Sequence, residues 1–149
     1  MIALACDHGG FAYKQTIMKY LDKEGYAYKD FGTFSEESCD YPDFALAAAE
    51  SVAKGECDRG ILVCGTGIGI SIAANKVPGV RAAHCHDVFS AKATRLHNDA
   101  NMLAMGERVI GEGLMLEIVE AFLNTPFSGE MRHKKRIEKI AGIERKYCK

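Results

Sequence analysis

No segment of this chain stays apolar long enough to cross a bilayer. The longest uncharged stretch, residues 60–75, is broken by four glycines, Thr66, Ser71 and Asn75, and a spanning helix needs about 20 apolar residues. Proline is scarce, with Pro42, Pro78 and Pro126 only, and no repeat, low-complexity tract or linker interrupts the chain. None of the six cysteines (Cys6, Cys39, Cys57, Cys64, Cys85, Cys148) falls in a CxxC pair, so they read as reduced thiols rather than a disulfide framework or a zinc site. Residues 1–6 lack the basic start of a secretory signal and run straight into Asp7 and His8, which gives a cytoplasmic expectation. Charge of neither sign dominates: 19 Lys and Arg against 20 Asp and Glu leave −1, and no polyanionic partner follows from that balance.

What is present is the composition of one soluble globular domain over residues 1–149, with 48% apolar and 26% charged residues. A chain of this length buries roughly two-thirds of its unfolded surface, so it folds without staples. Short apolar runs at 2–6, 27–31, 60–64, 80–85 and 102–105 read as buried parallel strands. Helix-period segments lie between and after them, at 11–23, 44–54, 68–76, 90–97, 114–123 and about 133–140. This alternation predicts an α/β fold, a three-layer α/β/α sandwich around a five-stranded parallel Rossmann-like sheet. Ligands of such sheets bind at the carboxyl ends of the strands, near a topological switch point. The charge is unevenly spread: residues 132–149 carry eight basic and two acidic side chains, marking a basic C-terminal helix.

Candidate residues cluster where that rule points. The first strand ends in Cys6-Asp7-His8-Gly9-Gly10; Asp7 serves either chemistry or a helix cap. The third strand ends in Cys64 and runs through Gly65-Thr66-Gly67-Ile68-Gly69-Ile70-Ser71 into a helix. Glycines there allow a tight turn with inward N–H groups, a setting for an anion or developing oxyanion. No Gly-Lys pair exists for a P-loop, and Ile70 stands where a dinucleotide fingerprint needs glycine. Asp87, about 20 residues on, keeps a nucleotide-binding module as an alternative. Cys64 sits beside a helix start, a setting that favours a thiolate base or nucleophile; packing as a small apolar side chain is the alternative. His84-Cys85-His86 is the one dense group of metal-ligand types, but strand alternation separates the cysteine from both histidines, so no metal is expected. His97 closes a helix before Asn98, either as a cap or as an acid–base group. Arg108 follows the fifth strand. Arg132 and Arg136 share a helix face suited to a phosphate, and without an interleaved aromatic the tail makes a poor nucleic-acid site.

Taken together, Cys6-Asp7-His8-Gly9-Gly10, Asp40-Tyr41-Pro42, the block from Cys64 to Lys76, His97-Asn98-Asp99, and Arg132 with Arg136 resemble the type B ribose-5-phosphate isomerases. Their wider sugar-phosphate isomerase family includes allose- and galactose-6-phosphate isomerases. The resemblance covers essentially the whole chain. It implies that Cys64 shuttles the proton and His97 opens the sugar ring. It further implies that Thr66 and the amides of Gly65, Gly67, Ile68 and Gly69 hold the enediolate. Asp7 and His8 would contact the sugar, Tyr41 and Asn98 would line the site, and Arg108, Arg132 and Arg136 would bind the polar end, the last two at phosphate. Relatives that lack the cysteine use a glutamate just after the glycine loop, a place held here by Ile70. The resemblance also implies no metal or organic cofactor, and a homodimer or dimer of dimers with shared sites. A six-carbon sugar phosphate stays open as the substrate.

Overall fold

The computed structural model describes residues 1–148. Five parallel strands, β1 (Ile2–Cys6), β2 (Tyr28–Asp30), β3 (Arg59–Cys64), β4 (Ala82–His84) and β5 (Met102–Gly106), form one sheet in the order β2-β1-β3-β5-β4. Six helices accompany them: α1 (Phe11–Glu24), α2 (Tyr41–Ala53), α3 (Ile68–Ala74), α4 (Val88–Asn98), α5 (Glu112–Asn124) and α6 (Met131–Tyr147). The expected α/β class and parallel five-stranded sheet are what the chain adopts. None of the described helices is long and apolar enough to cross a membrane.

The central strands are apolar throughout because both faces are covered. Leu4, Ile61, Val63, Leu103 and Met105 pack with Ile17 and Leu21 of α1, Ala91 of α4 and Met115, Ile118 and Phe122 of α5. The alternate residues, Ala3, Ala5, Leu62, Cys64 and Ala104, pack with Ala45, Ala48 and Ala49 of α2 and Ile70 and Ala74 of α3. Strand alternation therefore sends Cys64 toward the α2 and α3 layer.

The chain goes from β1 outward to β2, then returns to place β3 on the other side of β1. That reversal is the switch point, and the carboxyl ends of β1 and β3 flank it. Gly10, in the turn after β1, lies against β3 so closely that a Cβ there would come within 2.5 Å of the Val63 carbonyl carbon.

Several boundaries differ from the periodicity reading. Helix α2 starts three residues before the expected Phe44, because Pro42 sits in its first turn, where its fixed φ and missing N–H cost nothing. Helix α6 continues past Ile140 through Gly142 to Tyr147. An Arg145–Glu138 ion pair at 2.5 Å and a Glu144 carboxylate accepting the Gly79 N–H at 2.9 Å hold that extension. The basic segment expected to run to residue 149 ends outside the described residues. Strands β2 and β4 are shorter than expected, three residues each, since each pairs on one side only.

A charged side chain lies deep inside the fold. Lys14 of α1 is fully buried, with Nζ 2.7 and 2.9 Å from the Asp30 carboxylate oxygens and donating to the Thr33 carbonyl. It ties α1 to β2 and to the turn after it. Removing one partner of such a pair strands the other charge, at a cost of about 3 kcal/mol. Lys14→Met is therefore expected to lose about 3 kcal/mol of unfolding free energy, read from the urea midpoint at unchanged slope.

Candidate active site

Most of the singled-out residues converge at the carboxyl ends of β1 and β3. The Asp7 Oδ1 accepts the Gly9 N–H at 2.9 Å, so the carboxylate caps the short 3-10 turn His8–Gly10. The capping alternative holds for this oxygen. His8 Nδ1 accepts the Cys39 N–H at 3.2 Å, which leaves Nε2–H of the neutral ring as a donor. The Tyr41 ring lies on the glycine loop, where a Cβ on Gly69 would meet its Cζ at 2.5 Å and its hydroxyl at 2.8 Å. Arg108 reaches the same loop from the other side, its Nη1 2.8 Å from where a Gly65 Cβ would sit, and its N–H donates to the Gly65 carbonyl at 3.0 Å. Bare glycines are thus what let an aromatic ring and a guanidinium close in on one loop.

Cys64 is buried at the centre of this group. Its Sγ accepts the Gly67 N–H at 3.1 Å, a contact available because Gly67 adopts φ +75. The Ile68 N–H turns to Thr66 Oγ1 at 3.3 Å. Two of the loop amides expected to face an oxyanion therefore serve the loop itself: Gly67 solvates the Cys64 sulfur and Ile68 holds the Thr66 hydroxyl. The other strand-end thiols differ in setting. Burial pushes Cys6 up to about 12 and Cys85 up to about 11, so both are neutral at physiological pH. Asp87 caps α4, accepting the Ser90 N–H at 2.6 Å and its hydroxyl at 2.8 Å, and these bonds hold its carboxyl below the ordinary range. An acid spent on a cap is a poor reader of a nucleotide ribose, which disfavours the dinucleotide alternative.

The remaining residues lie at the opposite edge of the sheet. Helix α4 starts after the carboxyl end of β4 and returns, so its last residues, His97 and Asn98, stand near the amino ends of the strands. Eleven helical residues span about 16 Å. Arg81, just before β4, holds that end by donating to the Asn98 carbonyl at 3.0 Å and the Asp99 carbonyl at 2.8 Å. His97 stacks on His133 of α6, ring centroids 4.5 Å apart and 17° from parallel. Next to them, Arg132, Lys135, Arg136 and Lys139 line one basic depression on α6. Asn98 lines a larger groove of about 540 Å³ with Arg81, Ile140 and Tyr147.

The sequence reading missed four residues that hold the site together. His84 and His86, weighed only as metal ligands, contact the loop and the end of β5: His84 Nε2 lies 2.9 Å from the Thr66 carbonyl, and His86 Nε2 accepts the Gly106 N–H at 2.9 Å. Glu107 accepts the Tyr13 N–H at 3.0 Å, anchoring the start of α1. Cys39 fixes the His8 ring. No local sequence signal marked any of these, because each contact joins segments far apart in the chain.

Comparison with known proteins fits this geometry. Residues 2–140 match the family model described as Ribose/Galactose Isomerase. The chain is 49% identical over 145 residues to ribose-5-phosphate isomerase B of Escherichia coli, covering 97% of each. Among solved structures, ribose-5-phosphate isomerase B of Clostridium thermocellum superposes with a TM-score of 0.96 at 56% identity, over 98% of each chain. The type B ribose 5-phosphate isomerase of Trypanosoma brucei gives 0.93 at 50% identity, over 96% of this chain and 97% of the other.

The stacked histidines set a pH dependence. Burial, then the neighbouring His97 and Arg132, hold His133 below the ordinary histidine range, and its Nε2 is buried without a partner. The folded chain then binds fewer protons than the unfolded one below about pH 6.5, so stability falls as pH drops through that value. Denaturation midpoints between pH 7.5 and 5.5 are expected to decline, and His133→Phe, which keeps the stacked ring, is expected to flatten the decline. An unchanged slope in that variant contradicts the assignment.

Proposed function

Since the chain belongs to the Ribose/Galactose Isomerase family, we propose that it interconverts ribose 5-phosphate and ribulose 5-phosphate through an enediolate. The observation that carries the reading is the Cys64 sulfur, buried at the switch point and facing a loop of backbone donors. An aldose–ketose isomerase has to open the ring, take a proton from C2, stabilise the resulting enediolate and return a proton to C1. Cys64 is the base: as thiolate it accepts the C2 proton and, as thiol, gives it back at C1. The Gly67 N–H donates to its sulfur at 3.1 Å. Thr66, with the amides of Gly65 and Gly69, holds the enediolate oxygens. Asp7 and His8 contact the sugar hydroxyls, Tyr41 closes the site over Gly69, and Arg108 lies against Gly65 to neutralise charge.

His97 protonates the ring oxygen during opening, while Asn98 lines the site and Arg132 and Arg136 hold the phosphate. These four lie at the other edge of the same sheet, so a complete site takes them from a second copy of the chain. The assembly is a homodimer with two shared sites, closed by two-fold symmetry. Leu46, Ile68 and Ile72, exposed on the α2 and α3 layer beside the Cys64 loop, offer the apolar surface that such an association buries. The preference for five carbons follows the relatives named ribose-5-phosphate isomerase B; a six-carbon phosphate would have to fit the same two half-sites.

The test is proton NMR of ribose 5-phosphate in D2O with the enzyme, run beside allose 6-phosphate and galactose 6-phosphate. Deuterium is expected at C2, with ketose appearing, fastest for the pentose. Cys64→Ala is expected to lose at least about a thousandfold in rate with its circular dichroism unchanged. Retained turnover in Cys64→Ala contradicts the assigned base, and exchange into no sugar phosphate contradicts the activity.

A further inference from the structure

Two histidines outside this scheme hold the glycine loop from behind. His84, the last residue of β4, places Nε2 2.9 Å from the Thr66 carbonyl oxygen and 3.2 Å from Nε2 of His86. His86 Nε2 accepts the Gly106 N–H at 2.9 Å. The carbonyl partner requires the His84 proton on Nε2, and the amide partner requires the neutral His86 proton on Nδ1. The rings meet edge to face, centroids 4.4 Å apart and 79° between planes. Each tautomer thus suits the other, with His84 Nε2–H directed between the Thr66 carbonyl and the His86 lone pair.

The Thr66 carbonyl and the Gly67 N–H belong to one planar peptide unit and point to opposite sides of it. On one side stands His84. On the other, the N–H donates to Cys64 Sγ at 3.1 Å. The orientation of this single plane therefore decides whether the sulfur keeps its donor. Gly67 has no side chain in the way: a Cβ there would lie 2.8 Å from His84 Nε2 and 2.7 Å from the Met105 carbonyl carbon. A hydrogen bond at the carbonyl also polarises the amide and strengthens donation from its N–H. A donor on the sulfur is stronger toward the thiolate than toward the thiol.

We propose that His84 is a positioning residue for Cys64: it holds the Thr66–Gly67 peptide so that the Gly67 N–H stays on the sulfur and favours the thiolate, with His86 holding His84 in place. The proposal rests on Cys64 being the isomerase base, but its central consequence is a property of the thiol that needs no substrate. His84 is exposed at the sheet edge, so substitution there empties no core. The charged or titratable groups beside the pair are Asp87, occupied by its cap, and each other.

The test measures iodoacetamide alkylation of Cys64 against pH, resolved by peptide mass spectrometry, in the parent protein, His84→Leu and His84→Gln. The kcat and KM for ribose 5-phosphate at pH 7 are read alongside. In His84→Leu the Cys64 alkylation midpoint is expected to rise by about one pH unit while that of exposed Cys148 stays in place, and kcat to fall about tenfold with KM within about twofold. His84→Gln, whose amide N–H can reach the carbonyl, is expected to recover most of both. A Cys64 midpoint that does not move in His84→Leu overturns the proposal whatever the activity does. So does a glutamine variant no better than leucine. A shifted midpoint in a protein that turns over no sugar phosphate keeps the positioning role and removes only the isomerase reading.

Discussion

A parallel strand and the helix that returns from it end at opposite edges of a sheet, and everything in this molecule is arranged around that polarity. β3 delivers Cys64 and its glycine loop to the carboxyl edge, where β1 delivers Asp7 and His8. α4 carries His97 and Asn98 back to the amino edge, where α6 adds Arg132, Arg136 and the stacked His133. No rotamer change bridges a helix length of about 16 Å. The residues proposed for proton transfer and those proposed for phosphate binding therefore stand at separate ends of one subunit. Dimerisation in the proposed account is a consequence of sheet topology, because a two-fold axis is the simplest operation that turns one edge toward the other.

At the carboxyl edge, specificity of shape comes from missing side chains. Gly10 lets the turn after β1 lie on β3, Gly69 accepts the Tyr41 ring, and Gly65 accepts the Arg108 guanidinium. Gly67 accepts His84 and takes a backbone angle that L side chains seldom adopt. The loop is held by neighbours on every side, which suits a catalyst whose donors have to be in place before charge develops. The Cys64 thiol, with the Gly67 N–H on its sulfur, sits there, while Cys6 and Cys85 are kept neutral by burial.

Much of this was legible in the residues themselves. Uninterrupted apolar runs such as Ile2–Cys6 and Gly60–Cys64 mark strands covered on both faces, and α1, α3, α4 and α5 follow their helical periods to within a few residues. The glycine loop declared itself because glycines at alternate positions after a strand have few other uses. What periodicity could not carry was pairing across the chain. That β5 lies between β3 and β4, and so brings His84 and His86 under a loop 18 or more residues earlier, is a fact of strand order. Cys39 meeting His8, and Glu107 meeting the start of α1, likewise join segments 31 and 94 residues apart. Asp87 shows the reverse case: its spacing after a glycine loop suggested nucleotide chemistry, and local geometry made it a helix cap.

The division of the site between two edges is tested most directly by mixing two inactive variants. Cys64→Ala and His97→Asn would be unfolded together in denaturant, refolded at equal concentration, and assayed with ribose 5-phosphate. A mixed dimer would carry one site with both lesions and one with neither, so random pairing should restore about a quarter of the parent activity. No recovery, with dimers formed and both variants folded, would mean that Cys64 and His97 do not act in one site across copies.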